Sequence, residues 1–189
     1  MMQRIFRRPS PGTFLGTVSI KTGTMPTHLV WIAYSLSNLV ALLLLWASWK
    51  KPSVARALFM LLFAWAAWFN TTTVLATPAI YTGYAQYAIV GWYRQFILGF
   101  FAQHTAPLVL AIAAGQAGIA LGMLAKDRLF RLGAVGGIVF LLCIAPLGAG
   151  SAFPCTLLMA AGMWRLYGQG SSRWLWQDFS NRTSPRSID

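Results

Sequence analysis

The chain is poor in the residues that do chemistry. Of its 189 residues, 3 are Asp or Glu, 2 are His and 2 are Cys. The acids are Asp127, Asp178 and Asp189, and all lie outside the long apolar stretches. Proton-driven transporters and cation channels place carboxylates inside the membrane. General acid–base catalysis needs two titratable groups near one another. Neither arrangement is available, so proton-coupled transport and hydrolysis are not expected. No phosphate loop, nucleotide fingerprint, zinc spacing or nucleophile motif is present, and no metal site is expected. Cys143 and Cys155 do not form C-x-x-C and read as small buried hydrophobes.

What remains is a short set of binding candidates. His28 and His104 each sit at the edge of an apolar stretch. Their bland reading is a polar end residue, and their sharp one is axial ligation of a haem iron or a chlorophyll magnesium. A ligating histidine needs a partner for its other ring nitrogen, and Gln103 is the neighbour of His104. Tyr93 and Arg94 suit an anionic lipid headgroup or a quinone carbonyl, or simple anchoring at the membrane surface. Asn70 lies inside an apolar stretch, where an amide is costly, so it should face another helix.

The elements that must position these residues are transmembrane helices. The chain is 57% hydrophobic and 10% charged, whereas soluble domains carry about 25% charged residues. Four stretches contain no Asp, Glu, Lys or Arg: 29–49, 57–93, 95–125 and 132–164. About 20 apolar residues cross a bilayer. The last stretch would be about 50 Å long as one helix, and it is broken by Pro146, Gly148, Gly150 and Pro154. The expected fold is therefore an all-α polytopic transmembrane bundle of about five spans: 28–49, 54–77, 105–125, 128–147 and 152–168. Residues 79–104, with Tyr81, Tyr84, Tyr87, Trp92 and Tyr93, read as an interfacial aromatic segment. Residues 1–27 read as a polar arm with no signal-peptide core, and 169–189 as a polar tail. Gly115, Gly118, Gly122, Gly133 and Gly137 read as helix-packing residues, two of the pairs in small-x-x-x-small spacing.

The formal net charge is +12, from 15 Lys plus Arg. In a membrane chain such residues flank spans, contact lipid headgroups and set orientation. No basic helix or RNA-binding signature accompanies them, so nucleic acid is not an expected partner. Alternating the five spans puts Lys50, Lys51, Arg56, Lys126, Arg128, Arg131 and Arg165 on one side and Arg94 on the other. That implies a cytoplasmic C-terminus, in a bacterial plasma membrane or a thylakoid.

From Ala55 to Tyr167 the layout resembles the DoxX-like family of small bacterial integral membrane proteins. The matching pieces are Arg56-Ala57-Leu58-Phe59, the stretch from Pro78 to Tyr87, Tyr93-Arg94-Gln95-Phe96-Ile97 and Ala114-Gly115-Gln116-Ala117-Gly118. The resemblance implies a four-helix bundle to which the first span is an addition. It also implies a quinone-linked redox role, with a lipid-accessible pocket near Arg94, Gln116 and Asn70. Members of that family often have a glutamate about where Gln116 stands, so a role that needs that carboxylate does not carry over. Against this stands the reading that the residues themselves favour. With no catalytic constellation, glycine-rich faces and polar termini, the chain reads as an accessory or assembly subunit of a larger membrane complex, in contact with lipids and other membrane subunits.

Overall fold

A computed structural model describes residues 27–180. The expectations for the N-terminal arm before Thr27 and for the tail beyond Ser180 lie outside the described residues. The described residues are 89% helical and contain no strand, so the all-α bundle is borne out. The elements are α1 (Thr27–Lys50), α2 (Pro52–Ala76), a 3-10 helix (Pro78–Tyr87), α3 (Gly91–Phe96), a π-turn (Ile97–Phe101), α4 (Thr105–Leu124), α5 (Asp127–Ile144), a second 3-10 turn (Ala145–Ser151), α6 (Cys155–Gln169) and α7 (Leu175–Ser180).

Proline sets the first two helix boundaries. A residue before proline is pushed out of the helical region. Lys51 (φ −142°, ψ 66°) and Thr77 (φ −148°, ψ 71°) both lie outside it. Pro52 then opens α2, where a missing N–H costs nothing.

Five helices close into a ring in the order α1, α2, α4, α5, α6 and back to α1. Each runs from one end of the bundle to the other. Phe59 and Phe63 of α2, Met123 of α4, Phe130 of α5 and Met163 of α6 meet in the middle, all nearly sealed from outside. α1 and α6 run parallel. Tyr34 donates to the carbonyl of Phe153 and Asn38 to that of Ala152 (3.2 Å) at one end, and Arg165 lies over the Trp49 ring (5.2 Å) at the other. The outer surface is strongly apolar, with Trp31, Leu42, Trp46, Leu61, Trp68 and Leu121 more than half exposed. Hydrophobic side chains ring the bundle outside as well as inside, as a lipid-facing protein requires.

Four helices are long and apolar enough to cross a membrane: α1 from Trp31, α2, α4, and α5 with the turn that follows it. The fifth expected span, α6, is shorter than these. At 15 residues it is about 22 Å long, short of a hydrocarbon core of about 30 Å. The cause is the break before it. Gly148 (φ +59°) and Ala152 (φ +53°) are left-handed, and the residues they occupy are lost from the helix. α6 still spans the ring between α1 and α5.

The aromatic segment is not one helix. The 3-10 helix is tied to the second 3-10 turn by Ile89 N–H to the Pro146 carbonyl (3.0 Å). A side chain at Gly148 would collide with Ile89 and the Tyr87 carbonyl, 2.6 and 2.8 Å from a Cβ. The tail also folds back. Leu175 of α7 is buried, and Trp174 stacks on Trp176 with ring centroids 4.8 Å apart.

Candidate functional site

The glycines divide into two sets. Gly122 and Gly133 bring α4 and α5 into backbone contact, since a Cβ on Gly122 would lie 2.6 Å from the Gly133 Cα. Gly137 makes room for the end of Met163. Gly115 and Gly118 do not pack the bundle. Both face outward, and none of the described residues lies within 4 Å of where their side chains would start. The Gly118–Gly122 pair is therefore not one packing face. Helix α4 turns Gly122 inward and presents Gly118 to the outside. With Gly136, Leu121, Leu129 and Leu132, the outward glycines line an apolar groove of about 410 Å³ along the α4–α5 seam.

The four residues taken as a lipid or quinone contact fall in two places. Asn70 and Gln116 meet between α2 and α4, with Asn70 Nδ2 donating to Gln116 Oε1 at 2.8 Å. Tyr81 donates to Asn70 Oδ1 at 3.0 Å. Gln116 is 3% exposed. Tyr93 and Arg94 lie apart on α3. Tyr93 turns inward and donates to the Cys143 carbonyl (3.2 Å), while Arg94 is exposed and makes no hydrogen bond to Asn70 or Gln116. Burial raises the Tyr93 hydroxyl pKa above its ordinary value, with a smaller contribution from Cys143, and that phenol stays a donor at neutral pH.

His28 and His104 stand at the same end of the ring, on helices that α2 separates, and their rings are not in contact. Both are exposed. His104 stacks on Phe100 (4.6 Å between centroids), and its Nδ1 lies 3.0 Å from the Phe100 carbonyl. That carbonyl, and not Gln103, is the partner of the ring. Cys155 is buried, but Cys143 is exposed and both are free, which corrects the expectation of two buried thiols. No group of three His, Cys, Asp or Glu side chains among the described residues could hold a metal ion.

The most connected polar residue is Arg56, which the sequence offers no reason to expect at a site. Arg56 is 2% exposed. Its Nη1 donates to Ser171 Oγ (2.5 Å), the Arg173 carbonyl (3.5 Å) and Asp178 Oδ2 (3.0 Å). Nη2 donates to the carbonyls of Met123 (3.0 Å) and Ala125 (2.7 Å). The guanidinium also lies 4.7 Å from the centre of the Phe130 ring. Arg56 thus fastens the tail to the end of α4. The available sequence signal is an arginine in the first turns of an otherwise apolar helix.

Above Arg56 opens a cleft of about 580 Å³ lined by the starts of α2 and α5, the end of α6 and the stretch 170–173. Comparison with known proteins adds no relative to this description: no family model, curated protein or solved structure matches the chain.

Proposed function

We propose that the chain is an accessory or assembly subunit of a larger membrane complex, and that a partner's transmembrane helix docks along the Gly115–Gly118–Gly136 groove. The observation that carries this reading is the outward placement of Gly115 and Gly118. Glycine in a helix interior costs about 1 kcal/mol relative to alanine. Gly122 and Gly133 offset that by packing their own bundle, and Gly115 and Gly118 do not. In lipid, small residues let two helix backbones approach closely enough for dispersion to hold them. Positive loops are retained on the cytoplasmic face, so the end carrying Lys50, Lys51, Lys126, Arg128, Arg131 and Arg165 belongs there, in a bacterial plasma membrane or thylakoid.

Native mass spectrometry after mild extraction tests this. The wild-type chain should migrate in an assembly, and a Gly115→Leu/Gly118→Leu variant should leave it while unfolding at an unchanged temperature. A wild-type species at the 20.8 kDa chain mass, or an assembly indifferent to both leucines, would overturn the reading.

A second reading rests on the buried amides. The Asn70–Gln116 amide pair between α2 and α4, joined by the Tyr81 hydroxyl, offers hydrogen-bonding groups of the kind a quinone carbonyl takes, in keeping with a DoxX-like redox role. Quinone co-purifying with the wild type but not with Gln116→Leu would favour it. The haem or chlorophyll reading rests on His104, whose Phe100 contact would fix one ring nitrogen and leave the other to ligate. A colourless purified band would remove it.

A further inference from the structure

The basic cleft has a charge balance that the fold does not close. The Arg56–Asp178 pair at its floor is the one ion pair among the described residues, and it leaves that carboxylate committed. The walls carry Arg128, Arg131 and Arg173 against a single further acid, Asp127. All three arginines are exposed, and none has a carboxylate of the described residues within salt-bridge distance. Arg131 is steadied over the Tyr167 ring, 6.0 Å from its centre. The first turn of α5 opens on the same cleft, and no side chain caps it. The Asp127 N–H is taken by the Ser171 carbonyl (2.6 Å), and the N–H groups that follow it add partial positive charge to that of the arginines.

We propose that this cleft binds a phosphate group. Guanidinium forks match phosphate oxygens in pairs, with more geometric demand than an ammonium makes. A cleft of about 580 Å³ admits a phosphate with the group that carries it. The source is either a lipid headgroup or a free phosphate. The exposed Trp49 and Trp176 rings beside this end of the bundle mark the depth at which headgroups lie. The proposal is independent of the glycine groove, and neither leucine substitution there touches it.

The test uses the full chain in a phosphate-free maltoside micelle, titrated separately with phosphatidylglycerol and with inorganic phosphate. Binding is read by native mass spectrometry and by tryptophan fluorescence. Replacing all three arginines (Arg128→Gln, Arg131→Gln, Arg173→Gln) should weaken binding about tenfold or more. Phosphatidylglycerol binding that inorganic phosphate does not displace would identify a lipid headgroup as the occupant. Displacement by inorganic phosphate would identify a soluble phosphate. The triple lysine variant keeps the charge and decides the case if the glutamine variant fails to fold. Loss of binding with lysine supports the fork geometry. Equal binding by wild type and the lysine variant, or by wild type and a folded glutamine variant, would overturn the proposal.

Discussion

The two ends of the bundle meet the same physical need with different chemistry. A helix end leaves carbonyls without intrahelical partners, and in a membrane protein these cannot all be left to water. At the basic end the carbonyls of Met123 and Ala125 are taken by one buried guanidinium, Arg56, which also holds Asp178 and Ser171. At the aromatic end the donors are phenols. Tyr93 serves the Cys143 carbonyl, Tyr34 serves Phe153, and Tyr81 serves both oxygens of Asn70. One end concentrates its dependence in a single charged side chain, and the other spreads it over neutral ones. A guanidinium with five donors can join several segments, but its removal strands every partner at once. A phenol joins only two groups, and its loss is local.

The sharpest way to break this comparison is Arg56→Met. Removing one partner of a buried ion pair typically costs about 3–5 kcal/mol. Here two carbonyls, Ser171 and Asp178 lose their donor together. Thermal unfolding should fall accordingly, and α7 should become open to proteases. A loss below about 1 kcal/mol would mean that the clasp is not what holds the tail.

The Asn70–Gln116 pair comes next. Asn70→Leu removes the Gln116 Oε1 donor, and Gln116→Leu removes the Asn70 Nδ2 acceptor, each at about 1–3 kcal/mol. The double substitution should cost less than the sum, because it strands neither amide. Strict additivity in a double-mutant cycle would show that the two amides act independently.

Alkali separates the ends more gently. Burial raises the pKa of Tyr81 and Tyr84 above 10.0, with smaller contributions from Tyr84 and Tyr87 respectively, and burial raises that of Tyr93 as well. For an acid whose folded pKa lies above its unfolded value, the folded state binds more protons. Stability is then fully present below pH 10 and is lost as pH climbs from the unfolded value through the folded one. Unfolding followed from pH 8 upward should be flat to about pH 10 and then decline. Replacing Tyr81, Tyr84 and Tyr93 with Phe should reduce that decline, and a decline that persists in full would place its origin elsewhere.

The smallest effects belong to exposed residues of the aromatic end. Arg94→Gln and His104→Ala should each change unfolding by less than about 0.5 kcal/mol. A larger loss for Arg94 would show a second charged clasp and erase the contrast between the ends.

Several features of this protein follow from local sequence. Lys51 and Thr77 leave the helical region because the next residue is proline, a steric effect that needs no tertiary contact. The charge-free stretches and scarce acids fix the all-α membrane class by the same locality, since each helix must satisfy its own backbone in lipid. The segregation of cations was legible too, with Arg94 alone at the aromatic end among the described residues. The shortness of α6 was only half visible. Its prolines and glycines marked a break, and the backbone turns at Gly148 and Ala152 decided how many residues the break took.

Tertiary structure decided the rest. Spacing alone could not say that Gly122 packs and Gly118 does not, because facing depends on where α5 lies against α4. It could not pair Asn70 with Gln116, 46 residues away, or Arg56 with Asp178, 122 residues away. Periodicity along one helix records which side is apolar, and in a membrane both the lipid and the core are apolar. The pattern that would mark an inward face in a soluble protein is erased, and only the packed ring tells the two sides apart.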